Sequence, residues 1–343
     1  MRALVVHAAK DLRADDWQDE APGPGQVLVR TAAGGICGSD LHYYHHGGFG
    51  TVRLKEPMVL GHEVSGRVAE LGAGVTGLAP GDLVAINPSR PCGACRYCRE
   101  GTPNHCMDMR FYGSAMPFPH IQGAFREALV VDAAQCVKAE GITAGEAAMA
   151  EPLSVALHAI RRAGPLLGKR VLVTGCGPIG VLTVLAARRA GAAEIVATDI
   201  EDQPLTHAMT AGADRAVNVM KEADALAGYG ADKGHFDLLC EASGAQAALV
   251  AGIGALRPRG VVVQLGLGGD MTLPMMQVTA KELELRGSFR FHEEFPLAVE
   301  MIAKGLIDVK PLITHTIGFD DAVKAFELAG DRSRVMKAQI AFN

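Results

Sequence analysis

Short apolar runs broken by Gly and Pro fill roughly the first 145 residues of the chain. QVLVRTAAGG, EVSGRVAEL and DLVAINP have strand length and end on turn residues, which predicts a β-rich unit. Near Ala144 the period changes. TAGEAAMAEPLSVALHAIRRAG spaces its apolar residues as a helix does and stops at Gly164. From Arg170 onward β runs alternate with helical stretches. RVLVTG precedes the helical PIGVLTVLAARRAG, and EIVATD precedes another helix. FDLLCEA, GVVVQLG and LELRGSF continue the series. Such alternation predicts a parallel sheet with right-handed crossovers. Beyond Phe291 come a helix (FPLAVEMIAKG), a β run (THTIGF) and a second helix (DDAVKAFELAG). No internal repeat, low-complexity tract or long linker interrupts the pattern.

Length and composition narrow this picture. A chain of 343 residues suits about two domains. Apolar residues make up 49% and charged residues 21%, an ordinary globular balance. Lys and Arg total 33 against 38 Asp and Glu, so no basic footprint speaks for nucleic acid. The apolar start of MRALVVHAAKDLRADDW is too short and too soon interrupted by charge for a signal peptide. The longest uncharged stretch, residues 171–187, is too broken by Gly and Pro to span a membrane. The expected location is a reducing cytoplasm, where clustered cysteines mean metal or reactivity.

Two constellations then carry chemistry. The first is Gly175-Cys-Gly177-Pro178-Ile179-Gly180, which follows the strand VLVT and opens a helix. Gly175 allows the turn, Gly177 lets the backbone approach a pyrophosphate, and Gly180 lets helix pack on strand. The helix N-terminus offers free N–H groups to phosphate. Asp199 ends the next strand nineteen residues past Gly180, where a ribose-binding carboxylate belongs. A carboxylate repels a 2′-phosphate, and Ile200, Glu201 and Asp202 supply no cation. NAD is therefore favoured over NADP.

The second concerns metal. Of eight cysteines, Cys92, Cys95, Cys98 and Cys106 lie in one short loop. Four thiolates at that spacing can close tetrahedrally on a zinc with no open position, which makes the site structural. Cys37, His62 and a carboxylate form a dispersed three-ligand set with a fourth position left for water or substrate. Spacing leaves two carboxylates in contention, Glu63 beside His62 and Glu151 at the domain junction. Cys136, Cys176 and Cys240 read as core residues, Asp40 as a backbone-bonding residue, and Met275 and Met276 as packing. His45 and His46 are expected on a solvated loop.

Together these features resemble the zinc-dependent medium-chain dehydrogenases from end to end. CGSDLHYY, GHEVSG, AEPLSVALHA and GSFRF resemble the polyol branch. GGICGSDLHYY, PMVLGHEVSG, MRFYGSAMPFPH, PMM and RGSFRF resemble a member of it that acts on a sugar acid. The resemblance implies an α/β chain with a GroES-like β-rich catalytic domain plus a Rossmann doubly wound parallel sheet. The catalytic domain covers residues 1–147 with a structural-zinc lobe at about 90–107. The NAD-binding domain covers 148–285, and residues 286–343 return to the catalytic domain.

Carried over residue by residue, Cys37 and His62 bind the catalytic zinc. Glu63 and Glu151 are alternative ligands or water partners, and Cys92, Cys95, Cys98 and Cys106 hold the second zinc. Zinc at Cys37 and His62 lowers the pKa of the substrate hydroxyl, and hydride passes to the nicotinamide. Ser39 and His42 relay the proton, with Glu151 as the third catalytic residue. Cofactor contacts fall to Gly175, Gly177, Pro178, Ile179, Gly180, Asp199, Leu265, Gly266, Leu267, Ser288, Phe289 and Arg290. One departure is Pro204, where relatives carry Arg beside the adenine ribose. Substrate contacts fall to Tyr43, Arg110, His120, Glu151 and Arg290, with Arg110 preferred as the partner of a substrate carboxylate. The expected partners are a sugar acid or polyol and further copies of the chain, as a tetramer or dimer. The alternatives within the family are sorbitol, xylitol and threonine oxidation. Outside it stand a zinc-free quinone reductase, which has no use for these ligands, and a non-catalytic NAD-binding protein, which needs no open zinc site.

Overall fold

The computed structural model describes residues 1–222 and 224–342. It divides into two units. The first comprises Met1–Glu151, Phe295–Asp331 and Lys337–Asn343, and the second Pro152–Glu294 and Arg332–Met336.

In the first unit, period-two alternation buries one side of Gln26–Gly35 and makes it the axis of a seven-stranded sheet. Glu63–Leu71 pairs with one edge of this strand, antiparallel. Lys337–Ala341 pairs with the opposite edge, also antiparallel. Gly35 consequently faces Glu63 on one side and Gln339 on the other. Strands Leu83–Ile86 and Cys136–Lys138 extend one flank, and Ile313–Gly318 extends the other. The C-terminal residues are thus integral to the first sheet.

The second unit holds six strands, all paired in parallel. Their spatial order is Arg215–Asn218, Glu194–Asp199, Arg170–Thr174, Phe236–Glu241, Leu256–Gln264, Glu284–Gly287. Numbered along the unit this is 3-2-1-4-5-6, the Rossmann order, with its switch point between Arg170–Thr174 and Phe236–Glu241. Leu172, Val196, Phe236 and Leu239 form its core with Ile253 of the following helix. Arg215–Asn218 escapes the hydrophobic pattern because it is short and begins on a charge.

Three expectations are adjusted. The strand Glu284–Gly287 belongs to the parallel sheet, so a boundary at residue 285 would cut it, and the return to the first unit begins at Phe295. The single helix predicted over 143–164 is two, Ala144–Ala148 and Ala150–Ala163. Thr143 caps the first, accepting the Glu146 N–H at 3.2 Å, while Glu146 accepts the Thr143 N–H at 2.9 Å. Pro152 lies in the first turn of the second, where a missing N–H is not needed. Finally, Met275 and Met276 are exposed, at 56% and 84%, instead of packed.

Candidate active site

In the first unit Cys37 caps the helix Gly38–His46. Its backbone N–H donates to Asp40 Oδ2 at 3.0 Å, and Gly61 N–H donates to Asp40 Oδ1 at 3.1 Å. One fully buried carboxylate thereby ties the Cys37 turn to the segment that delivers His62. Asp40 Oδ1 also lies 3.8 Å from His62 Nδ1. Burial raises the pKa of Asp40. Burial pulls His62 down, but Asp40 and Cys37 outweigh it and hold the imidazole well above its ordinary value.

Ligand atoms of Cys37, His62 and Glu63 all lie within 4.8 Å of one another. Glu63 enters this group because Gly35 opposite it has no side chain. A Cβ there would stand 2.1 Å from Glu63 Oε2. Lys337 reaches the same carboxylate from the neighbouring strand, donating to both oxygens at 2.8 and 2.7 Å and to Ile36 O at 3.2 Å. Burial lowers the Lys337 pKa, yet Glu63 and Cys37 more than offset it and raise the ammonium net. Glu151 lies outside the three-residue group but is buried, and its charge acts on both His62 and Lys337. Burial, with Glu63 and Asp40, pushes it up to about 7 against the pull of His62 and Lys337.

A soft thiolate, an imidazole and a carboxylate converging in a buried pocket form a donor set that fits zinc. Asp40 acts on His62 through its charge, since His62 Nδ1, 3.8 Å from Asp40 Oδ1, is buried without a hydrogen-bond partner.

Ser39, His42, His45 and His46 share the helix Gly38–His46 and do not lie on a loop. Ser39 and His42 are three residues apart and so lie on one face. Tyr43 is buried, with its hydroxyl accepting the Ala115 N–H at 3.0 Å, which places it in the core. His120 is corrected from substrate contact to loop clamp. Its Nε2 accepts Lys55 N–H at 2.9 Å and its Nδ1 meets Pro117 O at 2.9 Å, which engages both ring nitrogens. Arg110 is exposed in the two-residue strand Arg110–Phe111, whose Phe111 ring stands 5.5 Å from the His62 ring.

The four loop cysteines also converge, with all sulfurs within 4.8 Å. Cys95 Sγ lies 3.5 Å from Cys98 Sγ and 4.0 Å from Cys106 Sγ. Zinc–sulfur bonds of about 2.3 Å at tetrahedral angles need sulfurs about 3.8 Å apart, so the spacing fits zinc. Backbone N–H groups of Met107 and Cys98 pull the Cys95 thiol down to about 6, readying it as a thiolate ligand. None of the eight cysteines is in a disulfide. Cys176 and Cys240 are core residues.

In the second unit every expected cofactor residue lies at the carboxyl end of a strand, the ligand-binding edge of such a sheet. Gly175 follows Arg170–Thr174 with φ +83°, and a Cβ on it would meet Ser243 N at 2.6 Å. A Cβ on Gly180 would stand 1.8 Å from Gly175 O, whereas Gly177 faces open space. Gly177 caps the helix Pro178–Arg189, whose N-terminus includes Ile179. Leu265, Gly266 and Leu267 follow Leu256–Gln264, and both Leu265 N–H and Gly266 N–H bond to Glu241 O. Ser288, Phe289 and Arg290 follow Glu284–Gly287, with the Arg290 guanidinium 4.9 Å from the Phe289 ring centre. The hydroxyl of Ser288 is buried without a hydrogen-bond partner, a polar atom awaiting one. The strand Glu194–Asp199 ends in Asp199. Open space at Gly177, a helix terminus without a side-chain cap and the unpartnered Ser288 fit a bound dinucleotide.

Sequence reasoning missed Lys337 and Arg332. Lys337 carried a readable sign, a charge opening the strand KAQIA, whose other residues are apolar but for Gln339. Arg332, in a polar turn far from Asp199, carried none.

A Rossmann sheet together with a Cys–His–Glu metal group defines a zinc-type dehydrogenase. The chain matches the alcohol dehydrogenase GroES-like domain over residues 23–141 and the zinc-binding dehydrogenase model over 178–304. It belongs to the zinc-binding alcohol dehydrogenase family and is an oxidoreductase. It is 46% identical to L-idonate 5-dehydrogenase (NAD(P)(+)) of Escherichia coli, over 95% of this chain and 93% of that one. It is 40% identical to human sorbitol dehydrogenase over 95% of this chain and 91% of the relative. The crystal structure of the E. coli L-idonate 5-dehydrogenase superimposes with a TM-score of 0.95 and 44% identity, covering 99% of this chain and 98% of that one. Among the described residues no helix is long and apolar enough to cross a membrane.

Proposed function

We propose that the protein oxidises the C5 hydroxyl of L-idonate to 5-keto-D-gluconate, with two zincs per chain and NAD as the favoured hydride acceptor. The observation that carries the reading is the Cys37–His62–Glu63 group, with Cys37 half-buried and His62 and Glu63 buried, on which the charge of buried Glu151 acts. The 46% identical relative that acts on L-idonate supplies the substrate.

When bound, zinc supplies the Lewis acidity that lowers a hydroxyl pKa, and the dinucleotide supplies the hydride acceptor. Cys37, His62 and Glu63 hold the metal, and Lys337 fixes the orientation of Glu63. Glu151 takes a hydrogen bond from water or the substrate hydroxyl. Ser39 Oγ accepts the hydroxyl proton as it gives its own to His42, which releases a proton to solvent. Partial burial and His46 lower the His42 pKa, which keeps it neutral and able to accept at pH 7. A bound nicotinamide would take the C5 hydrogen as hydride while these residues carry away the hydroxyl proton, which together would convert the alcohol to the ketone.

The substrate carboxylate lies several carbons from C5 and needs a cation outside the metal ligands. Arg290, which follows the strand Glu284–Gly287 among the expected cofactor residues, takes this role in preference to Arg110, and its planar fork suits a carboxylate. Losing a charge-assisted hydrogen bond weakens binding by about ten- to a hundredfold. Arg290→Ala is expected to raise KM for L-idonate by that factor and Arg110→Ala by less than about twofold. The reverse ranking would return the role to Arg110.

The function is tested by NAD reduction across L-idonate, D-gluconate, sorbitol, xylitol and L-threonine. L-Idonate should give the highest kcat/KM. A preference for sorbitol, the substrate named for the 40% identical human relative, would overturn the assignment.

A further inference from the structure

The adenosine end of the dinucleotide site contains a cation that no motif announced. Asp199 is 5% exposed, and three backbone groups pin it. Cys176 N–H donates to its Oδ2 at 2.6 Å, while Ile200 and Glu201 N–H donate to its Oδ1 at 2.7 and 3.1 Å. Arg332 adds one guanidinium nitrogen, 2.9 Å from Oδ2 and 3.3 Å from Oδ1. A carboxylate has about four acceptor directions, and these contacts fill them. Ribose hydroxyls arriving at Asp199 therefore meet a carboxylate already occupied. The backbone donors cannot leave without breaking the turn. Arg332 can, because its side chain is 52% exposed against 3% for Asp199.

We propose that Arg332 is a specificity-determining residue that lets the ribose site accept a 2′-phosphate as well as a 2′-hydroxyl. This rests on the reading of the second unit as a nicotinamide dinucleotide site. With NAD, the ribose hydroxyls replace the guanidinium on Asp199 and Arg332 turns into solvent. With NADP, Arg332 stays. Its fork has five N–H donors, enough to keep Asp199 and grip a phosphate together. The negative charge that would alone repel the phosphate is offset by the ion pair. Asp199 alone predicts exclusion of NADP. Asp199 with Arg332 predicts use of both cofactors, with the balance set by residue 332. Pro204, buried in the helix Asp202–Thr210, offers no such donor.

Calorimetric titration with NADH and NADPH tests this without turnover. The unmodified holoenzyme should bind NADPH within about tenfold of NADH. Arg332→Gln should weaken NADPH about ten- to a hundredfold, the range for loss of a charge-assisted contact, and shift NADH by less than about threefold or tighten it. Arg332→Lys should recover part of the NADPH affinity, because it restores the charge without the fork. Equal weakening of both cofactors by Arg332→Gln would make the arginine a structural clamp and overturn the proposal. Unmodified protein that binds NADH but rejects NADPH more than about a thousandfold would overturn it too, leaving the dinucleotide reading intact. Binding of neither would overturn both.

Discussion

Replacing Cys37 by Ala is expected to abolish turnover while the protein stays folded and binds NADH with unchanged affinity. The thiolate is one of three ligand atoms within 4.8 Å of one another, and Ala offers the metal nothing in its place. Lewis-acid stabilisation of a developing oxyanion contributes several kcal/mol, so its loss lowers kcat by about a thousandfold or more. The fold is spared because one half of the capping box at this position is made by the Cys37 backbone. Its N–H donates to Asp40 Oδ2, and the substitution leaves that bond in place. Zinc content should fall from about two to about one per chain by atomic absorption. The NADH affinity should hold because the dinucleotide residues belong to the other unit. Substantial activity of the variant in chelator-treated buffer would remove zinc from the mechanism.

What the sequence disclosed and what it withheld follow from the range of each interaction. The convergence of the cysteine loop was readable because its four sulfurs are near neighbours in the chain. The glycine turn was readable for the same reason, since Gly175, Gly177 and Gly180 lie within one strand–helix junction. Cys37 and His62 were readable by type, but which glutamate gathers beside them needed coordinates. The register of Gln26–Gly35 against Glu63–Leu71 puts Glu63 opposite the unobstructed Gly35 and into the group with Cys37 and His62. Lys337 lies 274 residues from the glutamate it pairs with, and only sheet pairing brings the two together. The arginine on Asp199 is 133 residues away, in a turn with no periodicity to read. Segment likeness singled out Arg110, whereas the nearness of its neighbour Phe111 to His62, 5.5 Å between rings, depends on long-range packing and needed coordinates.

Cys95→Ala should test whether the cysteine loop is a stability element and not a second reaction centre. The loop buries little. Cys92 is exposed, and the helix Arg96–Arg99 within it contains no buried residue. Pro103 and Asn104 are its buried residues, so apolar packing contributes little, and four converging sulfurs without a disulfide form a group that fits a metal. Zinc binding to such a site is coupled to folding of the segment that carries it. Three remaining thiolates bind more weakly, and Cys95 is the ligand whose pKa the backbone depresses to about 6, hence the one most ready to bind at neutral pH. The expected loss is about 2–4 kcal/mol, or roughly 5–15 °C in the first calorimetric transition of a unit of this size. Zinc should again fall from about two to about one per chain. Below the transition, however, kcat with L-idonate should stay within about threefold, in contrast to the Cys37 variant. Unchanged zinc content and an unchanged transition would show that the loop holds no structural metal. Loss of turnover in a folded Cys95 variant would move the loop into the active site.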